Sequence, residues 1–139
     1  MKHHHKWLKT LMESLDVNVD EETRAAVLEN CGRACIPRSF VERATACKKD
    51  AEDLDQFLDE LAKKWSHLRK DGDEVYVVYE KCYCPLLKDY RGTISPTFCN
   101  CSRGWIKELF ESALERPVEA ELMQAIRQGD DVCRFRVIL

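Results

Sequence analysis

At 139 residues the chain has room for one domain, and 45% apolar with 34% charged residues, 5 Gly and 4 Pro is a globular composition. A net charge of −3 excludes a general nucleic-acid binder, because neutralising phosphates needs a basic face. No apolar run approaches the roughly 18–20 residues of a membrane span, so neither nucleic acid nor membrane is an expected partner.

In chain order, "MKHHHK" offers no apolar stretch for a secretory signal, and residues 1–5 are expected to form a mobile tail on a single domain spanning 1–139. Trp7, Leu8, Leu11, Met12 and Leu15 make one apolar stripe at helical spacing. Asp20 then suits the N-cap of a second helix, with Glu21 and Glu22 in its first turn. Gly32 weakens that helix and Pro37 ends it. "SFVERATACKK" predicts a third helix with Phe40, Val41, Ala44 and Cys47 inward. A fourth is capped by Asp50, with Leu54, Phe57, Leu58, Leu61 and Trp65 as its stripe.

The pattern then changes. "VYVVYEKCYC" is β-branched and aromatic, which predicts a strand ending at Pro85. "GTISPTF" is expected to pair back on it as an edge segment. Ser102 is the expected cap of a fifth helix through "RGWIKELFESALE". In the closing segment Val118, Ala120 and Leu122 alternate with acids, and Cys133, Phe135 and Val137 with arginines, which predicts a hairpin. The order of elements defines an α+β fold: N-terminal helices on an antiparallel sheet of about four strands, with one helix between two hairpins.

Eight cysteines are the chemical signal. Without an export signal the expected compartment is the cytoplasm, where thiols stay reduced, so a disulfide scaffold is disfavoured. Cys82 and Cys84 lie two apart on the expected strand, and Cys99 and Cys101 lie two apart before a helix. A hairpin would bring the pairs together as a tetrahedral thiolate site for zinc, or for an iron–sulfur cluster if Cys31 and Cys35 joined them. The second reading is a reactive thiol, with Cys101 or Cys99 a nucleophile activated by the helix N-terminus and Arg103. The third is packing, and it is the reading for Cys47 and Cys133. His67, the only histidine outside the opening segment, sits in a polar linker and reads as a bystander.

The stretch Pro117–Val137, in which Gly129-Asp130 leads into Cys133 and Phe135, resembles the closing hairpin of 4-vinyl-reductase-type small-molecule-binding domains. It is also similar to the aminothiazoline-carboxylate hydrolase-like proteins, as are "CPLL" and "CNCSRGWIKELFE". Where the family-like form has glycine before Arg116, this chain has Glu115. The likeness covers Cys82 to Leu139. It implies an α+β fold with a ligand pocket between sheet and helices, often in a homodimer. Two functions follow as expectations. One is a cytoplasmic sensor domain holding a metal or small molecule at a cysteine-lined site. The other is a hydrolase of a small cyclic sulfur or amide substrate.

Overall fold

The computed structural model describes all 139 residues. Helices α1 (His3–Asn18), α2 (Glu21–Cys35), α3 (Arg38–Asp50) and α4 (Leu54–Lys64) come first, followed by strands β1 (Leu68–Asp71) and β2 (Glu74–Tyr79). Helix α5 (Asn100–Leu114) precedes β3 (Glu119–Gln124) and β4 (Cys133–Ile138). The four strands form one antiparallel sheet in the order β1-β2-β4-β3. This is the expected α+β fold, with one helix between two hairpins.

The local chemistry explains most boundaries. The Asp20 carboxylate accepts the Thr23 N–H at 3.0 Å and starts α2. Asp53, not Asp50, caps α4 by accepting the Gln56 N–H at 2.8 Å; Asp50 instead closes α3. Ser102 is no cap either, because a single 3-10 turn at Pro96–Cys99 runs directly into α5 and places Ser102 inside the helix. Helix α5 ends at Glu115, which is left-handed at φ 56°, the conformation that glycine adopts without strain.

Two segments depart from the expected pattern. The first hairpin is β1–β2, turned by Gly72 at φ +61°, while "GTISPTF" carries no strand. Strand β2 stops at Tyr79, so Cys82 and Cys84 lie in an irregular loop. The opening residues are no tail. His3–His5 begin α1, and His5 is 1% exposed, its ring edge-on to Tyr90 with centroids 5.2 Å apart.

The pleat sorts the sheet residues. Val75, Val77, Ala120, Phe135 and Val137 lie beneath the helices in a core with Phe57, Leu61, Ile106, Leu109 and Phe110. Tyr76, Arg134, Arg136 and Ile138 belong to the opposite face. There Arg136 pairs with Glu74 at 2.9 Å, and the Arg134 guanidinium lies 5.6 Å from the Tyr76 ring centre. A smaller cluster joins Leu8, Met12 and Leu28 to Leu87, Tyr90, Ile94 and Phe98, and so seats α1 on the loop between β2 and α5.

Helices α2 and α5 cross backbone to backbone. A Cβ on Gly32 would overlap the Cys101 carbonyl and reach 2.9 Å from the Trp105 nitrogen; one on Gly104 would lie 2.6 Å from the Glu29 Cα. Gly32 therefore does not weaken the architecture. It is what lets the two helices meet. Ion pairs bracket the crossing, Glu29 to Lys107 at 3.1 Å and Arg33 to Glu111 at 2.8 Å.

Candidate functional site

The cysteine-bearing corner is built from three pieces: α2, the loop from Glu80 to Ser95, and the start of α5. The loop has little regular structure of its own and is held from a distance. Arg127 donates to the carbonyls of Tyr90 at 2.9 Å and Leu87 at 3.2 Å, and its guanidinium lies over the Tyr90 ring. The Asp16 carboxylate accepts the Ser95 and Thr97 hydroxyls, each at 2.5 Å, which fixes the approach to α5 against α1. Neither anchor has a local sequence signature.

Cys31 and Cys35 sit on the exposed side of α2, while Cys82, Cys84, Cys99 and Cys101 are half-buried. Cys82, Cys84 and Cys101 pack against the smaller apolar cluster. Cys47 is buried and Cys133 half-buried against the main core. All eight are free thiols.

The thiols do not form a metal centre. No group of three or more His, Cys, Asp or Glu side chains is placed to hold an ion, so the zinc or cluster set of Cys31, Cys35, Cys82, Cys84, Cys99 and Cys101 does not assemble. The reason is in the backbone. The expected arrangement had Cys82 and Cys84 on one strand face opposite a paired segment, and neither that strand extension nor the partner strand exists; Cys31, Cys35, Cys84 and Cys99 neighbour Cys101 without any three of them taking up ion-holding positions.

The electrostatics run against a nucleophile as well. Burial pushes the Cys99 and Cys101 thiols up to about 12, with neighbouring thiols adding to the effect. Burial also raises Cys84. At neutral pH all three are therefore protonated, the opposite of an activated thiolate. His67 packs among aromatic side chains. Its ring stands 4.7 Å from that of Tyr79 and 5.3 Å from that of Tyr83, with Nδ1 3.1 Å from the Val78 carbonyl oxygen.

A polar cleft of about 690 Å³ opens beside this corner, where Arg24, Arg103, Asp16, Glu21 and Glu121 meet Ser95, Thr97 and Asn100. Its cations are engaged by the protein itself. Arg24 lies 3.4 Å from Asp16, and Arg103 donates to the Ala120 carbonyl at 2.9 Å and to Asn100 at 3.0 Å. Sequence reading missed this cleft, since its walls come from four separate segments.

The geometry thus defines an α+β domain of helices on an open sheet, with no group of side chains assembled as a metal centre. The chain belongs to the DUF6144 family, a family of unknown function, whose sequence model matches residues 1–139. No curated protein matches the sequence. Among solved structures, it is similar to trafficking protein particle complex subunit 3 from Naegleria fowleri, crystallised covalently bound to palmitic acid. The TM-score is 0.61 at 19% identity, covering 98% of this chain and 94% of the other. At that identity the likeness is one of fold. With the missing ligand group, it overturns both functional expectations, the metal or small-molecule sensor and the cysteine hydrolase. No helix is long and apolar enough to cross a membrane.

Proposed function

We propose that this protein is a cytoplasmic subunit of a multi-protein assembly, acting by contact with protein partners. The observation that carries the reading is the near end-to-end correspondence of its fold with a trafficking-particle subunit, over 98% and 94% of the two chains. The surface supports it. The outer sheet face presents Tyr76, Arg134, Arg136 and Ile138, with Ile138 among the exposed large apolar side chains. Aromatic and arginine side chains of this kind are enriched at protein interfaces. Eight free thiols suit a reducing compartment. The kinship of Cys82–Leu139 with 4-vinyl-reductase-type domains is kept as a proposal about architecture alone, and a homodimer is one form the assembly can take.

The test is native size fractionation of extracts from the source cells, with the chain cross-linked in place beforehand. The expected result is elution well above the 16.2 kDa of one chain, with partners cross-linked in fixed ratio. Charge reversal of Arg134 and Arg136 should shrink that species. Elution as a free monomer, with no cross-linked partner, would refute the reading.

A further inference from the structure

We propose that the outward face of α1, with the adjoining Leu86–Arg91 loop, docks this protein onto the surface of an anionic lipid bilayer. The inference goes beyond the assembly reading and does not rest on it. It begins with a segregation of charge. Lys2 at the N-cap and Lys6 and Lys9 in the first two turns of α1 precede its first acid, Glu13, and the loop adds Lys88 and Arg91 against Asp89 alone. This surface is net positive in a chain whose total is −3.

The two stretches form one surface. Lys2 pairs with Asp89 at 3.1 Å, and His5 is buried against Tyr90, so the loop is fastened along the flank of α1. Lys9 pairs with Glu13 at 3.5 Å, whereas Lys6, Lys88 and Arg91 are exposed and enter no ion pair. Two large apolar side chains are exposed on the same two stretches: Trp7, 64% exposed, next to Lys6 in α1 and round the helix from the loop, and Leu86, 49% exposed, in the loop itself. An exposed indole on the outward side of a helix that also carries Lys6 is well placed at the headgroup level, where its amphipathic ring and the cation are both satisfied.

A second copy of the chain is the competing occupant, because Asp50–Glu60 holds six acids. That stretch offers no exposed large apolar side chain to receive Trp7: Phe57 and Leu58 are buried. A bilayer surface supplies both the negative potential and the apolar layer. Surface docking of this kind needs no spanning segment, so the absence of one is no obstacle.

The test is co-sedimentation of the full chain with vesicles. One set is phosphatidylcholine alone and the other contains about a third phosphatidylserine, each at about 50 and about 500 mM salt. The expected result is binding to the phosphatidylserine vesicles at low salt only. Replacing Lys6→Gln and Lys88→Gln together should weaken it roughly 25-fold, at about fivefold per cation near the surface. Trp7→Ser should weaken it while leaving its salt dependence. Fluorescence of the wild type minus that of Trp7→Phe should shift to the blue on adding anionic vesicles. Unchanged thermal melting of the three exposed-site variants keeps misfolding out of the comparison. Equal binding to both vesicle types, no binding at low salt, or full binding by the double glutamine variant would each overturn the proposal. So would a dimer that Trp7→Ser dissociates in the absence of vesicle binding, which would assign the face to self-association.

Discussion

Replacing Gly32 by alanine should be among the costliest single-methyl additions in this protein. In an exposed helix the change would gain about 1 kcal/mol from helix propensity. Here the new methyl would overlap the Cys101 carbonyl and press on the Trp105 nitrogen, both backbone atoms of α5 that no rotamer change can move. Restoring ordinary contact requires the helices to part by roughly 1.5 Å or more, given carbon contact distances of about 3.5–4 Å. That movement would loosen Ile106 and Leu109, both 0% exposed, and stretch the Glu29–Lys107 and Arg33–Glu111 pairs. Overpacking costs typically about 1–3 kcal/mol and sometimes more, so with backbone on both sides the net loss should be about 2–4 kcal/mol. That is a large share of the roughly 5–15 kcal/mol that holds a domain together. Urea unfolding followed by circular dichroism reads the difference as a lower midpoint at unchanged slope. A midpoint that stayed or rose would show that the helices do not meet as described.

Glu115→Gly should stabilise by about 1 kcal/mol, since φ 56° strains any side chain with a Cβ; a lower melting temperature would contradict this. Iodoacetamide at neutral pH, followed by peptide mass analysis, should label exposed Cys31 and Cys35 first and Cys99 and Cys101 late. Labelling of Cys101 ahead of Cys31 would restore the case for a reactive thiol. Acid should destabilise the fold in two stages. Burial, then the charges of His4 and Lys2, lower the His5 pKa below 6.5. The unfolded chain therefore takes the proton first, and stability falls as pH drops through 6.5 towards the folded value. The Ser95 and Thr97 hydroxyls lower Asp16 below 3.8, so its contribution persists above that pH and is lost as pH falls through the folded value. Denaturation curves across pH 3–8 check both stages: His5→Gln should flatten the first and Asp16→Asn the second.

The helices were legible because their burial follows a period the chain states outright. Leu54, Phe57, Leu58 and Leu61 recur at helical spacing, and three of the four are fully buried. The closing hairpin was legible for the same reason at period two. Strand β1 was not, since an edge strand of four residues with Leu68 its one buried member reads as polar linker. The thiol corner misled more seriously. "KCYC" continues the alternation of β2 in sequence, yet the chain leaves the sheet at Tyr79 and is steered by Arg127, over forty residues later. A cysteine pair's spacing says where it points only if the backbone beneath it is known. That backbone was set by a carbonyl-seeking arginine in another element.

The position of β4 has a consequence for biosynthesis. It lies inside the sheet, paired with β2 on one side and β3 on the other, although it follows both in the chain. At roughly 5–20 residues per second, about 3–12 s pass between the emergence of β2 and that of β4. The β1–β2 hairpin can close within microseconds, but through that interval the other edge of β2 stays unpaired and Val75 and Val77 lack their β4 neighbours Val137 and Phe135. A nascent chain in this state offers an open apolar strand to any other chain nearby. Stalling translation before Cys133 should therefore yield protease-sensitive, chaperone-bound chains, and extending the stalled segment past Ile138 and clear of the exit tunnel should release them as a protected fold.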